Sequence, residues 1–454
     1  MSNSLIQKYN VAGPRYTSYP TVPYWEADTF SYESWIYSVQ QTFRASNLSE
    51  GISLYIHLPF CESMCTFCGC HKRITKRHDV EHPYIEGLLK EWELYTALFD
   101  ERPQIKEIHL GGGTPTFFSP SNLERLINGI FKSADCCEDY EFSFEGHPNN
   151  TTKEHLQALF NVGFTRVSYG VQDYSLKVQK AINRIQPYEH VQQATEMARE
   201  VGFTSISHDL VFGLPFQTLD DVVESINKTK SLKPDRIAFY SYAHVPWIKG
   251  NGQRGFQDSD LPSGNEKRKL YETGKQMLAE MGYIEIGMDH FALPTDSLFK
   301  AMENQKMHRN FMGYTASKTD LMIGLGVSSI SDSWTGFAQN EKNIERYYQI
   351  LEEGKIPVYR GHLLTEEDLV IRKHILHLMC NFKTSWADKM MRFYEIPEVL
   401  IKLSEMQQDG LLELSKNTIQ VTEKGKPFVR NICMAFDLRL QRNKPETKLF
   451  SMTI

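Results

Sequence analysis

Short apolar segments alternate with longer amphipathic segments between about residue 50 and residue 240, and this alternation constrains the fold more than any other feature. The apolar segments are rich in Ile, Val, Phe and Tyr, as strands are, and they lie at 52–58, 106–110, 140–146, 164–170, 205–213 and 235–242. Amphipathic segments of helical length lie between them at 82–99, 121–133 and 219–232. Six such units predict a parallel sheet covered by helices, built either as a doubly wound sheet or as an open, partial barrel.

Residues suited to chemistry fall at the ends of these predicted strands. In both architectures, ligands bind at the carboxyl ends of parallel strands. A cysteine cluster follows the first strand, and the segment "GGGTPT" (111–116) follows the second. Glu145 lies on the third, Gln172 follows the fourth and Asp209 lies on the fifth. We therefore expect one pocket to collect all of these groups.

The segment "CESMCTFCGC" (61–70) holds four of the eight cysteines of the chain. Cys61, Cys65 and Cys68 have CxxxCxxC spacing, and Cys70 follows them. A structural zinc site usually joins two separated pairs of ligands, and no second pair is evident in the sequence. Three thiolates so close together favour a [4Fe-4S] cluster whose fourth iron has no cysteine ligand. A structural zinc loop and a redox thiol pair stay open as alternatives.

The composition fits a globular chain with one large core and a smaller second one, since 41% of the 454 residues are hydrophobic. A net charge of −6 gives no general attraction to nucleic acid or to anionic membranes. The sequence has no secretory signal and no apolar stretch near the ~20 residues that span a membrane, so we expect a soluble, cytoplasmic protein. Four further cysteines are predicted to be buried structural thiols: Cys136, Cys137, Cys380 and Cys433.

The two ends of the chain lack the alternation of strand and helix segments that the middle shows. The N-terminal part contains "GPRYTSYPTVPYW", which is too rich in Pro and Tyr for one regular element and predicts an ordered arm. After about residue 360, a helix with a Thr365 to Asp368 cap is followed by a hairpin around "SKN" and another helix, a pattern that resembles a winged-helix module. Because no basic recognition helix is evident, we interpret it as a lid or packing domain. The predicted boundaries are 1–50, 51–360 and 361–454.

The cysteine loop and its position resemble those of the radical S-adenosylmethionine (SAM) superfamily. Its members carry CxxxCxφC, with φ aromatic (here Phe67), after the first strand, and a glycine-rich segment, here "GGGTP", after the second. The resemblance implies a partial (β/α)6 barrel of TIM type. It also implies a [4Fe-4S] cluster bound by Cys61, Cys65 and Cys68, with SAM chelating the open iron.

A narrower resemblance, to the oxygen-independent coproporphyrinogen III oxidase family, covers essentially the whole chain. The segments that carry it are "GPRYTSYPT", "HLPFCxxxCxFCGC", "GGGTPT", "GVQD", "NR", "DLVFGLP", "YAHVP", "GMDHFA", "HRNFMGYT", "GLGVSSIS" and "VRNICMAFD". It implies an oxidoreductase of heme biosynthesis, a coproporphyrinogen dehydrogenase. Such an enzyme uses a 5′-deoxyadenosyl radical made from SAM to convert two propionates of coproporphyrinogen III to vinyl groups, which gives protoporphyrinogen IX. The expected partners are this substrate and an electron donor of unknown identity, with no nucleic acid or membrane partner, for a monomeric protein.

The resemblance also implies roles for individual residues. Those matched to SAM binding, some around a second SAM molecule, are Tyr55, Phe67, Gly112, Gly113, Thr114, Glu145, Gln172, Arg184, Asp209, Ala243 and Ile330. Arg15, His308 and Arg309 are candidate partners for substrate propionates. The alternative for the charged members is an ordinary salt bridge at a strand end or on the surface. No side chain is assigned to catalysis beyond the cluster and SAM.

One departure and two rival functions stay open. Where the family pattern reads "EVDP", this chain has "EGHP" (145–148), so His147 replaces an aspartate, and we assign it no role. A heme-chaperone relative shares the three-cysteine motif but generally lacks Cys70 and the N-terminal "GPRYTSYPT", both of which are present here. A radical SAM methyltransferase of similar architecture is the second rival.

Overall fold

The structure is a computed structural model that describes residues 3–26, 30–247, 252–253, 255–447 and 449–453. Residues 1, 2 and 454, at the outer ends of the predicted arm and C-terminal domain, lie outside the described residues. The boundaries of the three predicted regions stay a prediction. None of the helices in the described ranges is long and apolar enough to cross a membrane.

The strands and helices alternate through the middle of the chain. The strands are β1 (Ile52–Leu58), β2 (Phe60–Cys61), β3 (Arg73–Ile74), β4 (Gln104–Gly112), β5 (Asp135–Gly146), β6 (Phe164–Gln172), β7 (Ser205–Phe212), β8 (Arg236–Ser241), β9 (Ile284–Gly287), β10 (His290–Ala292), β11 (His308–Asn310), β12 (Gly313–Thr315), β13 (Met322–Leu325), β14 (Ile330–Asp332), β15 (Gly336–Asn340), β16 (Val358–Leu363), β17 (Lys383–Ser385), β18 (Leu412–Ser415) and β19 (Thr418–Val421). The α-helices are α1 (Asn3–Tyr9), α2 (Tyr32–Ser46), α3 (Glu81–Thr96), α4 (Pro120–Ile130), α5 (Lys153–Asn161), α6 (Leu176–Ala181), α7 (Tyr188–Val201), α8 (Leu219–Leu232), α9 (Gly264–Glu280), α10 (Ser297–Glu303), α11 (Ile344–Glu352), α12 (Glu366–Asn381), α13 (Ile396–Gln408), α14 (Val429–Phe436) and α15 (Leu438–Arg442).

The main sheet has the order β16-β15-β14-β13-β1-β4-β5-β6-β7-β8-β10-β9 in the described part of the chain. Each of the neighbours from β1 to β8 in this order pairs in parallel, and helices return the chain between successive strands. β13 adds a parallel strand beside β1, whereas the outer strands continue antiparallel. The two outermost strands, β16 and β9, do not pair with each other among the described residues. The predicted partial barrel is therefore confirmed, and the doubly wound alternative is wrong.

Strand β1 shows how the sequence positions the site. Its residues at alternate positions, Ile52, Leu54, Ile56 and Leu58, are fully buried in the main hydrophobic core. Successive strand residues point to opposite faces of a sheet, so Ser53, Tyr55 and His57 share the other face. That face carries the polar groups of the barrel interior.

The N-terminal arm packs against the C-terminal region. Tyr16 and Tyr19 are each only 1% exposed, and they lie in one hydrophobic core with residues of α12, α13 and α14. Tyr16 donates its hydroxyl to Asp437 over 3.1 Å. Arg430 on α14 donates to the carbonyl oxygens of Gly13 and Pro14. These contacts join the two ends of the chain beside the barrel.

The C-terminal region agrees with the predicted pattern. Thr365 and Asp368 form the capping box of α12, and the hairpin of β18 and β19 pairs with β17. Helix α14 follows the hairpin. Local signals, a cap and a tight hairpin, were sufficient to predict these elements.

Two expectations from the sequence need correction. Helices α5 and α7, each amphipathic and covering the sheet, were not among the predicted segments. The prediction that Cys136 and Cys137 are buried is wrong, since Cys136 is exposed and Cys137 is partly exposed, whereas Cys380 and Cys433 are buried. The reason is that β5 begins at Asp135, earlier than predicted, and its first half lies largely outside the core.

Candidate active site

The cysteine loop starts directly beyond β1. Phe60 and Cys61 form β2, which pairs with Arg73 and Ile74 of β3 and so closes the base of the loop. Its middle is fixed to the chain after α6, because the amide of Thr66 donates to the carbonyl of Ile182 over 3.0 Å. The side-chain amide of Asn183 likewise donates to the carbonyl of Met64 over 2.7 Å. The thiols are thereby held at the carboxyl edge of the sheet.

Polar donors reach the thiols of this loop. The hydroxyl of Thr114 donates to Cys61 Sγ over 3.3 Å, and Arg184 Nη1 approaches Cys65 Sγ to 3.7 Å. Burial raises the pKa of Cys61 to about 11, and the neighbouring Cys68 and Cys65 thiols add to this effect. A hydrogen bond with Cys70 lowers the pKa of Cys68 to about 6.

The thiols of this loop are suitable ligands for an iron–sulfur cluster. Soft thiolate sulfur is the donor that such clusters require. The three partly buried thiols, Cys61, Cys65 and Cys68, therefore fit a [4Fe-4S] cluster.

The glycines at the end of β4 allow the strand to meet the cysteine loop. Gly112 has φ of +113°, a conformation that side chains disfavour. A Cβ on Gly113 would lie 2.6 Å from the carbonyl carbon and oxygen of Pro59. Two backbone hydrogen bonds fix this close approach. The amide of Gly113 donates to the carbonyl of Leu58 over 2.8 Å, and the amide of Thr114 donates to the carbonyl of Phe60 over 3.0 Å.

Glu145 belongs to a polar cluster inside the barrel. Its Oε2 accepts the amide N–H of Gly112 over 3.3 Å, and its Oε1 lies 3.6 Å from His109 Nε2. Desolvation would raise the pKa of Glu145, but His109 and the Gly112 amide lower it below the usual value. Tyr55 stacks on His109 with ring centroids 6.1 Å apart, and its hydroxyl lies 3.0 Å from His57 Nδ1. The carboxylate is therefore held ionised beside a strand end.

Gln172 ends β6, Asp209 lies on β7, and Arg184 lies in the loop after α6. Arg184 Nη2 donates to the carbonyl of Gly170 over 2.7 Å, and its buried Nε has no partner in the described structure. Gln172, with φ of +68°, is buried at the last position of β6. Asp209 on β7 accepts the Ser168 hydroxyl over 2.9 Å, and burial raises its pKa to about 7.

The remaining residues matched to SAM lie in two places. Gln253 donates to the carbonyl oxygens of Phe67 and Ala243 over 3.0 and 3.1 Å, and so links the cysteine loop to the segment after β8. Ile330 on β14 and Tyr55 both line a cavity of about 830 Å³ that also reaches Gly112, Cys70 and Glu145. Pockets for cofactor-sized ligands span about 300–1,000 Å³.

The candidate substrate residues lie beside this opening, toward the C-terminal region. Arg15 forms an ion pair with Asp289 over 3.3 Å, and Arg309 donates to the carbonyl of Arg15 over 3.2 Å. Arg309 is only 5% exposed, and its Nε and Nη1 have no partner within the described ranges. His308 is also buried. Ordinary surface pairing therefore does not account for Arg309.

Two polar residues of the cluster, His57 and His109, were missed from the sequence. His57 Nε2 lies 2.9 Å from the carbonyl of His71, so this imidazole links Tyr55 to the far end of the cysteine loop. Alternation along β1 was the available signal, because Tyr55 and His57 are two residues apart and therefore share a face. For His109 the signal was similar, since it pairs in register with Tyr55 across β1 and β4.

Comparisons with known proteins agree with this geometry. Residues 55–229 match the family described as the Radical SAM superfamily. The oxygen-independent coproporphyrinogen III oxidases of Salmonella typhimurium and Escherichia coli are each 38% identical to this chain over 99% of it and 98% of their own length. A solved structure, coproporphyrinogen III oxidase from Escherichia coli, described as a Radical SAM enzyme, matches with a TM-score of 0.88 and 36% identity over 96% of this chain and 98% of that one. The resemblance seen in the sequence is thus confirmed, and the chain belongs to the oxygen-independent coproporphyrinogen III oxidase family of the Radical SAM superfamily.

Proposed function

We propose that this chain converts two propionates of coproporphyrinogen III to vinyl groups without oxygen, and so forms protoporphyrinogen IX for heme biosynthesis. Family membership over the full chain supports the reaction. The observation that carries it is the convergence of three thiols, a glycine-rich strand end and an ionised carboxylate at one edge of the barrel. This arrangement suits a cluster and SAM side by side.

Cys61, Cys65 and Cys68 are the proposed ligands of a [4Fe-4S] cluster. Cys70 differs from them in being exposed, and we assign it no iron. When bound, the cluster and SAM supply an organic radical able to take a hydrogen atom from an unactivated carbon. Thr114 and Arg184 contact two of the thiols and stabilise sulfur that carries negative charge.

Charged groups around the cavity are the proposed SAM contacts. Neighbouring groups hold the pKa of Glu145 below its usual value, so its carboxylate is available to accept hydrogen bonds from an ammonium group or a ribose. Arg184 keeps a buried nitrogen without a partner in the described structure, which is a suitable donor for a carboxylate. Asp209 is an acceptor whose charge is favoured once a cation or a hydroxyl approaches it. Two SAM molecules per chain remain part of the proposal.

The other residues matched to SAM shape the cavity. We assign backbone contacts to Gly112, Gly113 and Ala243, because these positions present peptide groups without a bulky side chain. Ile330, Phe311 and Met312 contribute apolar surface to the cavity wall. Phe67 contributes apolar surface within the cysteine loop. An apolar wall keeps water away from a radical reaction.

The test is anaerobic turnover by the iron-loaded protein with SAM, a reductant and coproporphyrinogen III. The proposal expects protoporphyrinogen IX and 5′-deoxyadenosine. Absence of a vinyl product together with tight retention of added heme would instead support the chaperone function. Methylated products would support a methyltransferase.

A further inference from the structure

A second, smaller cavity lies where the barrel edge, the N-terminal arm and the C-terminal region meet. Its volume is about 70 Å³, which is room for several water molecules or a short side arm but not for a tetrapyrrole. Phe212 and Ser241 enter it from the ends of β7 and β8. Lys267 on α9 and Arg430 on α14 also line it.

The lining of this cavity carries an excess of positive charge. Its described residues include five cationic side chains and one carboxylate: Arg15, Lys267, Arg268, Lys426 and Arg430 against Asp289. Arg15 is paired with Asp289, Arg268 with Glu272 and Lys426 with Glu423. Among the described residues, no carboxylate lies within ion-pair distance of the other two, Lys267 and Arg430.

The two cations without a carboxylate are held by neutral groups. Lys267 Nζ donates to the carbonyl of Tyr242 over 2.8 Å. Arg430 is 5% exposed and donates only to backbone carbonyl oxygens, those of Gly13, Pro14 and Met452. Burial, together with the repelling charges of Arg15 and Arg430, lowers the pKa of Lys267 to about 8. Buried charges without a counter-ion are costly, so the cavity is suited to an anion.

Strand β8 passes both the proposed SAM site and the cavity, because its Ala238 pairs with Asp209 of β7 and its Ser241 lines the cavity. Burial raises the pKa of Tyr240 on β8 well above its usual value, and Asp209 and Asp289 raise it as well. The Tyr240 hydroxyl lies 3.4 Å from His290, which in turn contacts Asp289 over 2.8 Å.

We propose that Lys267 and Arg430, together with Arg15, bind the carboxylate of a propionate arm that the substrate keeps. This inference rests on the proposed function and assigns a specificity site for it. Coproporphyrinogen III has four propionates, of which two survive in the product. The buried Arg430 and the partly exposed Lys267 stabilise a carboxylate as an anion and would be left unpaired if it departed as carbon dioxide, so the bound arm is a retained one.

The charge of Lys267 is tested with Lys267→Gln, Lys267→Arg and the control Lys269→Gln in the iron-loaded protein. Lys269 lies on the same helix and is exposed. Fluorescence titrations use coproporphyrin III, which carries all four propionates, and protoporphyrin IX, which carries only the two retained ones. We expect Lys267→Gln to weaken the binding of both porphyrins and to raise the KM for coproporphyrinogen III about ten- to a hundredfold. Lys267→Arg should restore most of the porphyrin affinity, and Lys269→Gln should bind both porphyrins as the wild type does. The iron content and the SAM affinity should be unchanged in all three variants.

Three results would overturn the assignment. One is an unchanged affinity for coproporphyrin III in Lys267→Gln. Another is weaker coproporphyrin III binding with normal protoporphyrin IX binding, which would mean that a reacting arm occupies the cavity. The third is a lower melting temperature of the ligand-free Lys267→Gln protein with an unchanged KM, which would mean that Lys267 is already paired within the chain. A wild-type protein that forms no vinyl product would contradict the proposed function instead, and the titrations would still decide the cavity.

Discussion

His147 makes a hydrogen bond that an aspartate at this position could also make. Its Nδ1 accepts the amide N–H of Asn149 over 3.2 Å, as a carboxylate two residues earlier would do in the same turn. Burial lowers the pKa of His147 to about 2, so the ring stays neutral and Nδ1 stays an acceptor. The departure from the family pattern therefore leaves the turn after β5 intact, and Glu145 keeps its position.

In the proposed site, the four clustered cysteines divide into three cluster ligands and one exposed neighbour. Cys61→Ala, Cys65→Ala and Cys68→Ala are each expected to lose the brown colour and the iron, because each removes one thiolate of the set. Cys70→Ala should keep both. Iron per chain and the visible absorption spectrum measure the difference, with the exposed Cys136→Ala as control. Equal loss in all four cluster variants would contradict this division.

Glu145→Gln removes a charge while keeping the size of the side chain. We expect SAM to bind about tenfold more weakly or worse, because a neutral amide replaces an ionised acceptor, with the iron content unchanged. Equilibrium SAM binding measures this, and Glu138→Gln, exposed on the same strand, is the matched control. Unchanged affinity in Glu145→Gln would remove this residue from the site.

The join between the end of β4 and the cysteine loop depends on glycine. In Gly113→Ala the new methyl group would lie 2.6 Å from the backbone of Pro59. The hydrogen bonds that Leu58 and Phe60 accept, on either side of Pro59, hold this backbone in place. We expect a loss of about 1–3 kcal/mol in the free energy of unfolding and weaker SAM binding, because the loop must shift. Gly264→Ala, on α9, where a Cβ would meet only the Asn10 side-chain nitrogen at an ordinary 3.5 Å, should change neither. Similar behaviour of the two variants would show that the close approach is unimportant.

The sequence predicts the strands of the barrel well and the contacts between distant elements poorly. Alternating and continuous apolar runs are local signals, and they located β1, β7 and α8 nearly to the residue. The positions of Cys61, Glu145 and Asp209 at one edge followed from the parallel topology alone. The meeting of Lys267 with Arg430 had no such signal, because it depends on how α9 and α14 pack.

The beginning of the chain and the C-terminal region share one hydrophobic core beside the barrel. Tyr16 fills the core that α12, α13 and α14 share, so Tyr16→Ala should lower the free energy of unfolding by about 3–5 kcal/mol. Tyr37→Ala, at a position 64% exposed, should change it by less than about 0.5 kcal/mol. Chemical denaturation of the full chain measures both values. Equal effects would mean that the arm does not contribute to the fold.

The packing of the N-terminal arm against the C-terminal region places Arg15 next to the barrel opening. The arm therefore reaches the site although the arm is distant from it in sequence. The backbone of Gly13 and Pro14 is held by Arg430, so the guanidinium of Arg15 reaches Asp289 and the end of β8. The arm, the barrel and the C-terminal region therefore meet around the cavity that Arg15 lines.

The central claim is the decarboxylation itself, and the most direct measurement is carbon dioxide released per coproporphyrinogen III consumed under anaerobic conditions. Wild-type protein with SAM and a reductant should release two molecules of carbon dioxide for each protoporphyrinogen IX formed, and Cys61→Ala should release none. Consumption of SAM by the wild-type protein without carbon dioxide from this substrate would contradict the account.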